Sequence, residues 1–202
     1  MKTYICIAAL LCFAAVSSLA QEKVTEPSTG KNFDSKVSFD YNNTDYTLQL
    51  TGVTVRKKMV FKVYGMAHYM QEPQKMSEDA AYKTVLTDGK AKQITMTFVR
   101  DVDKQKIQDT YRDGFAENSS AEDLKKIQSA IDQYVGFFTK DVKENDQFVI
   151  RWLPGGIISA TVQGEQKPAI TNQLFAQTLW SIWFGEDSIV DREDLVSRMT
   201  AK

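Results

Sequence analysis

Arg56 and Tyr64 are the residues of this sequence whose types and placement suggest ligand chemistry. They lie in GVTVRKKMVFKVYGMAHYM, residues 52–70, where β-branched and aromatic residues predict two strands facing a core. A guanidinium offers a planar fork of donors that a carboxylate accepts in bidentate fashion, and a nearby phenol adds one donor. The pair therefore predicts the polar end of an apolar ligand pocket. Two alternatives stay open: Arg56 pairs with a protein acid, or it points to solvent from an edge strand.

The residue types that build most catalytic and metal sites are scarce. The single histidine, His68, falls in mid-strand beside Tyr69, and no nucleophile elbow accompanies it, which favours a packing role over a catalytic triad. Both cysteines, Cys6 and Cys12, fall within the first 20 residues. No glycine-rich phosphate loop occurs. We therefore expect no metal site, no cofactor and no thiolate chemistry.

The first 20 residues have the pattern of a secretory signal peptide. A short basic start is followed by the apolar run ICIAALLCFAAV and the small residues SSLA, which predicts cleavage between Ala20 and Gln21. The run is short for a membrane span, so stable membrane insertion is not expected. A lipoprotein signal is disfavoured because Cys12 follows two leucines and the apolar run continues past it. The pattern predicts an exported, periplasmic protein of a bacterium.

Composition restricts the class of partner. The chain has 202 residues, of which 43% are hydrophobic and 25% charged, and its net charge is -1. This composition is typical of one globular domain. With no overall positive charge, we expect no binding to nucleic acid or to an anionic membrane surface. The many aromatic residues favour a well-filled core, and the alternative is a core with a ligand-sized gap. The sequence does not predict an oligomeric state.

The strands and helices that must position Arg56 and Tyr64 follow from residue periodicity. We predict a flexible leader at 21–36 and one α+β domain at 37–202, with antiparallel strands first, helices in the middle, a late hairpin and closing helices. The predicted turns and caps are Asn42-Asn43, a bend at Lys57-Lys58, Ser77, Asp103, a capping box in SSAE (119–122), Pro154-Gly155-Gly156, and a left-handed cap at Gly185.

Three segments together resemble the chalcone isomerase-like family. They are LTGVTVRKKMVFKVYGMAHYM, TMTFVRDVDKQKIQDTYRDGFAEN and WSIWFGEDSIVDREDLVSRM, and their order and spacing extend the resemblance over roughly residues 37–199. The resemblance implies an open-faced β-sandwich, with an antiparallel sheet covered by a layer of helices. It also implies one of two functions, either closure of a flavanone ring or binding of a fatty acid.

The resemblance implies a set of ligand-binding residues. In the fatty-acid-binding branch an arginine and a tyrosine hold a carboxylate while its tail lies in an apolar tunnel, and Arg56 and Tyr64 match these positions. Tyr111 and Asn118 match a tyrosine and an asparagine of the isomerase site. Two other isomerase positions, both threonines in that branch, are here Tyr64 and Ile182.

This departure favours binding of a fatty acid or similar apolar carboxylate, without catalysis. The ligand-binding set is then Arg56, Tyr64, Tyr111 and Asn118, and no catalytic residue is predicted. The alternatives are a chalcone isomerase-type enzyme and an envelope interaction module without a small ligand. Aromatic residues of the helix near 170–184 are expected to border the pocket: Phe175, Trp180 and Trp183.

Overall fold

The main feature of the computed structural model, which describes residues 22–200, is one curled antiparallel sheet. Its strands run in the spatial order β10-β8-β7-β6-β5-β4-β3, and β9 pairs with β8. A separate two-stranded sheet holds β1 and β2. The strands are β1 (Lys23–Thr25), β2 (Asn32–Asp34), β3 (Lys36–Tyr41), β4 (Thr44–Lys58), β5 (Phe61–Met70), β6 (Lys92–Phe98), β7 (Gln147–Leu153), β8 (Ile157–Val162), β9 (Glu165–Gln166) and β10 (Ile170–Thr171).

Helices cover one face of this sheet. They are α1 (Glu78–Val85), α2 (Lys104–Glu117), α3 (Ala121–Val135), α4 (Gln173–Phe184) and α5 (Arg192–Val196). Alternate residues of the central strands point toward them, and Met66, Ile94 and Ile150 belong to the same buried cluster as the inward stripes of α2, α3 and α4. The predicted fold class, α+β with an antiparallel sheet under a helical layer, is confirmed.

The opposite face of the sheet has a smaller core. Leu48, Leu50 and Tyr69 are buried there together with Phe33, which comes from β2. The predicted flexible leader is therefore wrong for residues 22–36, because the segment forms the β1–β2 sheet and packs Phe33 onto the domain. Because the residues around Phe33 are mainly polar, the sequence pattern did not indicate that Phe33 is buried. The predicted signal peptide, residues 1–20, lies outside the described residues.

Strand β4 is longer than the sequence pattern predicts. It continues from the first hairpin into the second, with register shifts between Leu50 and Gly52 and between Arg56 and Lys57. The first irregularity lies against α5, where a Cβ on Gly52 would be 1.9 Å from the Asp194 carbonyl oxygen. The turn into β5 falls at residues 59–60, two residues beyond the predicted bend.

The starts of α1, α2 and α3 agree with the sequence to within one residue, whereas α4 begins at Gln173, three residues later than predicted, because Ile170 and Thr171 form β10. Asp103 caps α2 as predicted, because its side chain accepts a hydrogen bond from the Gln105 N–H at 2.8 Å. The predicted capping box is displaced by one position. Ser120, and not Ser119, caps α3 by accepting from the Asp123 N–H at 3.1 Å. Both registers satisfy the same sequence pattern, so only the packing of α3 distinguishes them.

Candidate ligand-binding site

A cavity of about 360 Å³ lies between the β4–β5 hairpin and the start of α2. Its volume falls in the range of small-molecule sites. Its wall is mainly apolar and also includes charged side chains from both the hairpin and the start of α2. The lining residues are Arg56, Lys58, Met59, Phe61, Val63, Tyr64, Arg100, Asp101, Val102, Asp103, Lys106, Ile107 and Thr110.

Arg56 lines this cavity without a carboxylate partner. Its Nη1 donates hydrogen bonds to the carbonyl oxygens of Lys57 at 2.8 Å and Ile189 at 2.6 Å. No ion pair among the described residues includes Arg56. Both partners are neutral carbonyls, so the charge is held in place but not balanced. Pairing with a protein acid, the first alternative for Arg56, is therefore not seen within residues 22–200.

Tyr64 is directly opposite Arg56 in the β4–β5 pairing. Its ring is 7% exposed and packs edge-on against Phe98, and its Oη accepts a hydrogen bond from Trp183 Nε1 at 3.1 Å. Burial raises the pKa of the Tyr64 phenol, and the Trp183 hydrogen bond and the Arg56 charge offset only part of that rise. The phenol is therefore protonated at neutral pH. Its O–H donates to none of the described residues.

Tyr111 lies deeper than the cavity. It is 6% exposed, stacks on Phe138 and meets Trp183 edge-on, and burial raises its pKa. It lines a second void of about 30 Å³, which is large enough for about one water molecule. Tyr64, Ile107 and Thr110 line both spaces, so the void lies behind the cavity.

Asn118 does not line either space. It ends α2, and its Nδ2 donates to the Gly114 carbonyl at 2.9 Å. Its Oδ1 lies 2.5 Å from the position of a Cβ on Gly185. The predicted left-handed cap at Gly185 is wrong, because its backbone is extended (φ -68, ψ 178). Glycine fits there since Asn118 and Ser181 leave no room for a side chain.

The aromatic residues of α4 divide between the site and the core. Trp183 lines the second void, and so does Ile182. Trp180 instead packs against Trp152 and donates to His68, and Phe175 stacks on Phe115 in the core. Neither Trp180 nor Phe175 lines the cavity.

Sequence reasoning missed the contribution of the strand-to-helix junction after β6. Arg100, Lys106 and Thr110 all line the cavity. The segment FVRDVDKQK carried part of the family resemblance, but nothing in its pattern distinguishes a cavity wall from an exposed helix start. The junction adds two of the four cations of the lining, the others being Arg56 and Lys58.

The two acids of the lining are already engaged. Asp101 pairs with Lys143 at 2.9 Å and accepts from the Glu144 N–H, and these contacts lower its pKa. Asp103 is occupied as the cap of α2. The cavity therefore has an excess of positive charge that suits an anionic group. The described residues contain no cluster of histidine, cysteine or carboxylate side chains that could hold a metal ion.

His68 has a structural environment. Its Nδ1 lies 2.6 Å from Thr51 Oγ1, and its Nε2 accepts from Trp180 Nε1 at 3.4 Å. Thr51 in turn donates to the Leu195 carbonyl. Burial, with a smaller effect of the Lys92 charge, lowers the pKa of His68 to about 3. The imidazole is therefore neutral and packed, as the sequence indicated.

Comparison with known proteins places this geometry in a family. The chain matches the chalcone isomerase-like family over residues 29–198. The crystal structure of a fatty-acid binding protein from Arabidopsis thaliana is similar, with a TM-score of 0.67 and 15% sequence identity over 88% of this chain and 97% of that one. No curated protein sequence matches. Within the described part of the chain, no helix is both long and apolar enough to span a membrane. The chain belongs to the chalcone isomerase-like family.

Proposed function

We propose that this protein binds a fatty acid or a similar apolar carboxylate in the cavity beside Arg56, and that it does so without catalysis. One observation carries the proposal: the Arg56 guanidinium lines an apolar cavity and has no carboxylate partner among the described residues. A ligand carboxylate supplies the missing anion, and the unused O–H of Tyr64 supplies a further hydrogen bond. Lys58, Arg100 and Lys106 add long-range attraction.

The acyl chain would lie along the apolar part of the lining. Val63, Val102 and Ile107 form that wall, and Ile107 continues into the second void. Because the void is small, a long chain would fill the outer cavity first and would enter the void only if side chains around Tyr111 move. The Arabidopsis neighbour, which is a fatty-acid binding protein, supports the ligand class through its fold.

An isomerase function has less support from the same residues. Ile182 lines the second void where the isomerase branch has a threonine, and it cannot donate a hydrogen bond. Asn118 caps its helix outside both spaces. Its role as a ligand-binding residue stays a prediction, as does that of Tyr111. A donor set for a bound phenolate is thus incomplete around the cavity.

Binding of palmitate to the purified protein tests the proposal. Native mass spectrometry and titration calorimetry should give one bound palmitate per chain. Arg56→Gln should weaken that binding by roughly 10- to 150-fold, which corresponds to the 1.5–3 kcal/mol of a hydrogen bond to a charged group. Hexadecanol, which has the same chain without a carboxylate, should bind equally weakly to both proteins.

Arg112→Gln is the matched control. Arg112 is exposed on α2 and pairs with Asp109 at 3.5 Å. The substitution therefore removes the same charge as Arg56→Gln, but outside the cavity. The palmitate affinity of this variant should equal that of the unchanged protein. If palmitate does not bind, or binds Arg56→Gln and the unchanged protein equally, the carboxylate site is refuted. Turnover of a chalcone by the unchanged protein would favour the isomerase alternative instead.

We also propose that the protein acts after export to the periplasm. The basis is the pattern of residues 1–20, which ends in small residues before Gln21. The intact mass of the chain recovered from its host distinguishes the two cases. A chain that begins at Gln21 supports export, and a chain that keeps residues 1–20 contradicts it.

A further inference from the structure

The end of the β4–β5 hairpin exposes three consecutive large apolar side chains. Met59 is 88% exposed, Val60 83% and Phe61 57%. Met59 and Phe61 also line the cavity, so this apolar tip forms part of the cavity mouth. Contiguous exposed apolar residues beside a binding site are typical of a contact surface.

The backbone of the tip shows that a polar turn would fit there more easily. Met59 has a φ of 56°, in the left-handed region that favours asparagine and glycine. At the β3–β4 turn, Asn42 and Asn43 occupy such positions, and Gly155 and Gly156 do so at the β7–β8 turn. The β4–β5 turn keeps a methionine under the same constraint. Retaining an apolar side chain at a strained turn indicates a use for that side chain.

The tip lies among positive charges. Between Asp45 and Glu72 the sequence contains no acidic residue, and residues 56–62 contain one arginine and three lysines. Lys57, Lys58 and Lys62 are exposed beside the tip, and Lys62 Nζ also donates to the Ser28 carbonyl. The Arg100 guanidinium lies 4.9 Å from the centre of the Phe61 ring. The near-zero net charge of the chain conceals this local cluster.

We propose that the end of the β4–β5 hairpin, residues 57–62, docks the protein peripherally on the surface of an anionic phospholipid bilayer. The apolar tip, residues 59–61, would enter the interface, while the lysines beside it reach the anionic headgroups. A narrow, convex tip offers little area to a folded protein partner, since stable protein interfaces bury about 800 Å² on each side. A lipid surface accepts such a tip without a complementary shape.

Docking in this orientation turns the cavity mouth toward the lipid. Met59 and Phe61 then lie at the interface, and Arg56 lies just behind them at the level of the headgroups. A carboxylate lipid could pass between leaflet and cavity with little exposure of its tail to water. This consequence rests on the proposed function, whereas docking itself does not.

Flotation with lipid vesicles tests the docking. The protein from Gln21 onward, which includes every described helix and strand, is mixed with vesicles of phosphatidylglycerol and phosphatidylcholine or of phosphatidylcholine alone, without fatty acid. We expect binding to the anionic vesicles that falls in 0.5 M salt. Val60→Asp and Lys57→Glu should each lower the partition coefficient about tenfold. Lys125→Glu, an equal charge reversal on the exposed face of α3, should leave it unchanged.

A tryptophan at the tip gives an independent measurement. The three native tryptophans are at most 1% exposed, so acrylamide should mainly quench the one introduced by Val60→Trp. Anionic vesicles should protect it. The proposal is overturned if anionic vesicles do not bind the protein, or if Val60→Asp and Lys57→Glu bind them fully. Self-association that buries the tip also overturns it. Palmitate titration of Val60→Asp without vesicles reports the proposed function separately, because Val60 does not line the cavity.

Discussion

Replacing Tyr64 by phenylalanine isolates the hydrogen bond that orients the site. The substitution removes only Oη, the acceptor of the Trp183 Nε1–H at 3.1 Å, and leaves the ring against Phe98. Tyr64 and Trp183 are 7% and 1% exposed, so bulk water does not replace the lost acceptor, whereas one water molecule in the void that both residues line would reduce the loss. A buried donor left without a partner costs about 1–3 kcal/mol. We expect the free energy of unfolding to fall by that amount.

Tyr134 provides the matched control. Its ring is fully buried, and its Oη makes no hydrogen bond in the described structure. Tyr134→Phe therefore deletes the same atom from the same core and leaves no buried N–H donor without its acceptor. It removes only the contact with the Tyr111 phenol, which influences the pKa of both tyrosines. The expected change in the free energy of unfolding lies between zero and a gain of about 1 kcal/mol.

Urea unfolding followed by far-UV circular dichroism measures both variants. In thermal unfolding, 1 kcal/mol corresponds to about 2–4 °C for a domain of this size, so Tyr64→Phe should lower the Tm by about 2–12 °C. Palmitate affinity should also fall, because the ligand loses the phenol donor. Equal stability of Tyr64→Phe and the unchanged protein would refute the role of the Trp183 hydrogen bond. An equal loss in Tyr134→Phe would show that any buried phenol oxygen matters.

Three further predictions concern the scaffold. The pKa of His68 in the folded protein, about 3, lies below its value in the unfolded chain. The contribution of neutral His68 to the free energy of unfolding is therefore complete above about pH 6.5 and is lost as pH falls toward 3. In urea titrations, the difference in free energy of unfolding between the unchanged protein and His68→Gln should shrink by about 2 kcal/mol from pH 7 to pH 5. Gly52→Ala should prevent close packing of α5 on β4, because the alanine Cβ would lie 1.9 Å from the Asp194 carbonyl oxygen. A loss in Tm of less than about 2 °C would contradict this prediction. Ser120→Ala should cost about 1 kcal/mol through loss of its cap bond, whereas Ser77→Ala should cost less because Ser77 makes no side-chain cap bond, and denaturant midpoints compare the two.

The sheet could be predicted because its determinants are local. Alternation over residues 37–50 and 147–164 specifies two hairpins, and the turn at Asn42-Asn43 has the positive φ values that asparagine tolerates. The β1–β2 sheet could not be predicted in the same way. Its stability depends on Phe33 reaching Leu48 and Tyr69 on the second face, a tertiary contact with no periodic signal.

Residue type could predict that Arg56 and Tyr64 matter together, but not the geometry around them. Strand pairing makes Arg56 and Tyr64 neighbours, and any hairpin with its turn near residues 59–60 brings them together. The partner of Arg56, the Ile189 carbonyl, lies 133 residues away in sequence, and a backbone acceptor leaves no trace in side-chain patterns. The cavity depends on where packed side chains leave space, which is a property of the whole fold.

The two carbonyl contacts of Arg56 explain how an unpaired guanidinium can stay ready for a ligand. Lys57 and Ile189 both engage Nη1, so one nitrogen anchors the side chain while Nε and Nη2 make no bond to a described residue. Ile189 is itself fixed, because its N–H donates to the Ile182 carbonyl at 3.1 Å. The guanidinium is thus held between β4 and the α4–α5 connection before any ligand arrives, which lowers the entropy cost of binding. A lysine at this position would keep the charge, but its single ammonium could not hold both carbonyls and still present a planar pair of donors to a carboxylate. Under the proposed function, recognition of a carboxylate would therefore depend on the fork of Arg56 and on the connection that holds it, more than on the positive charge alone.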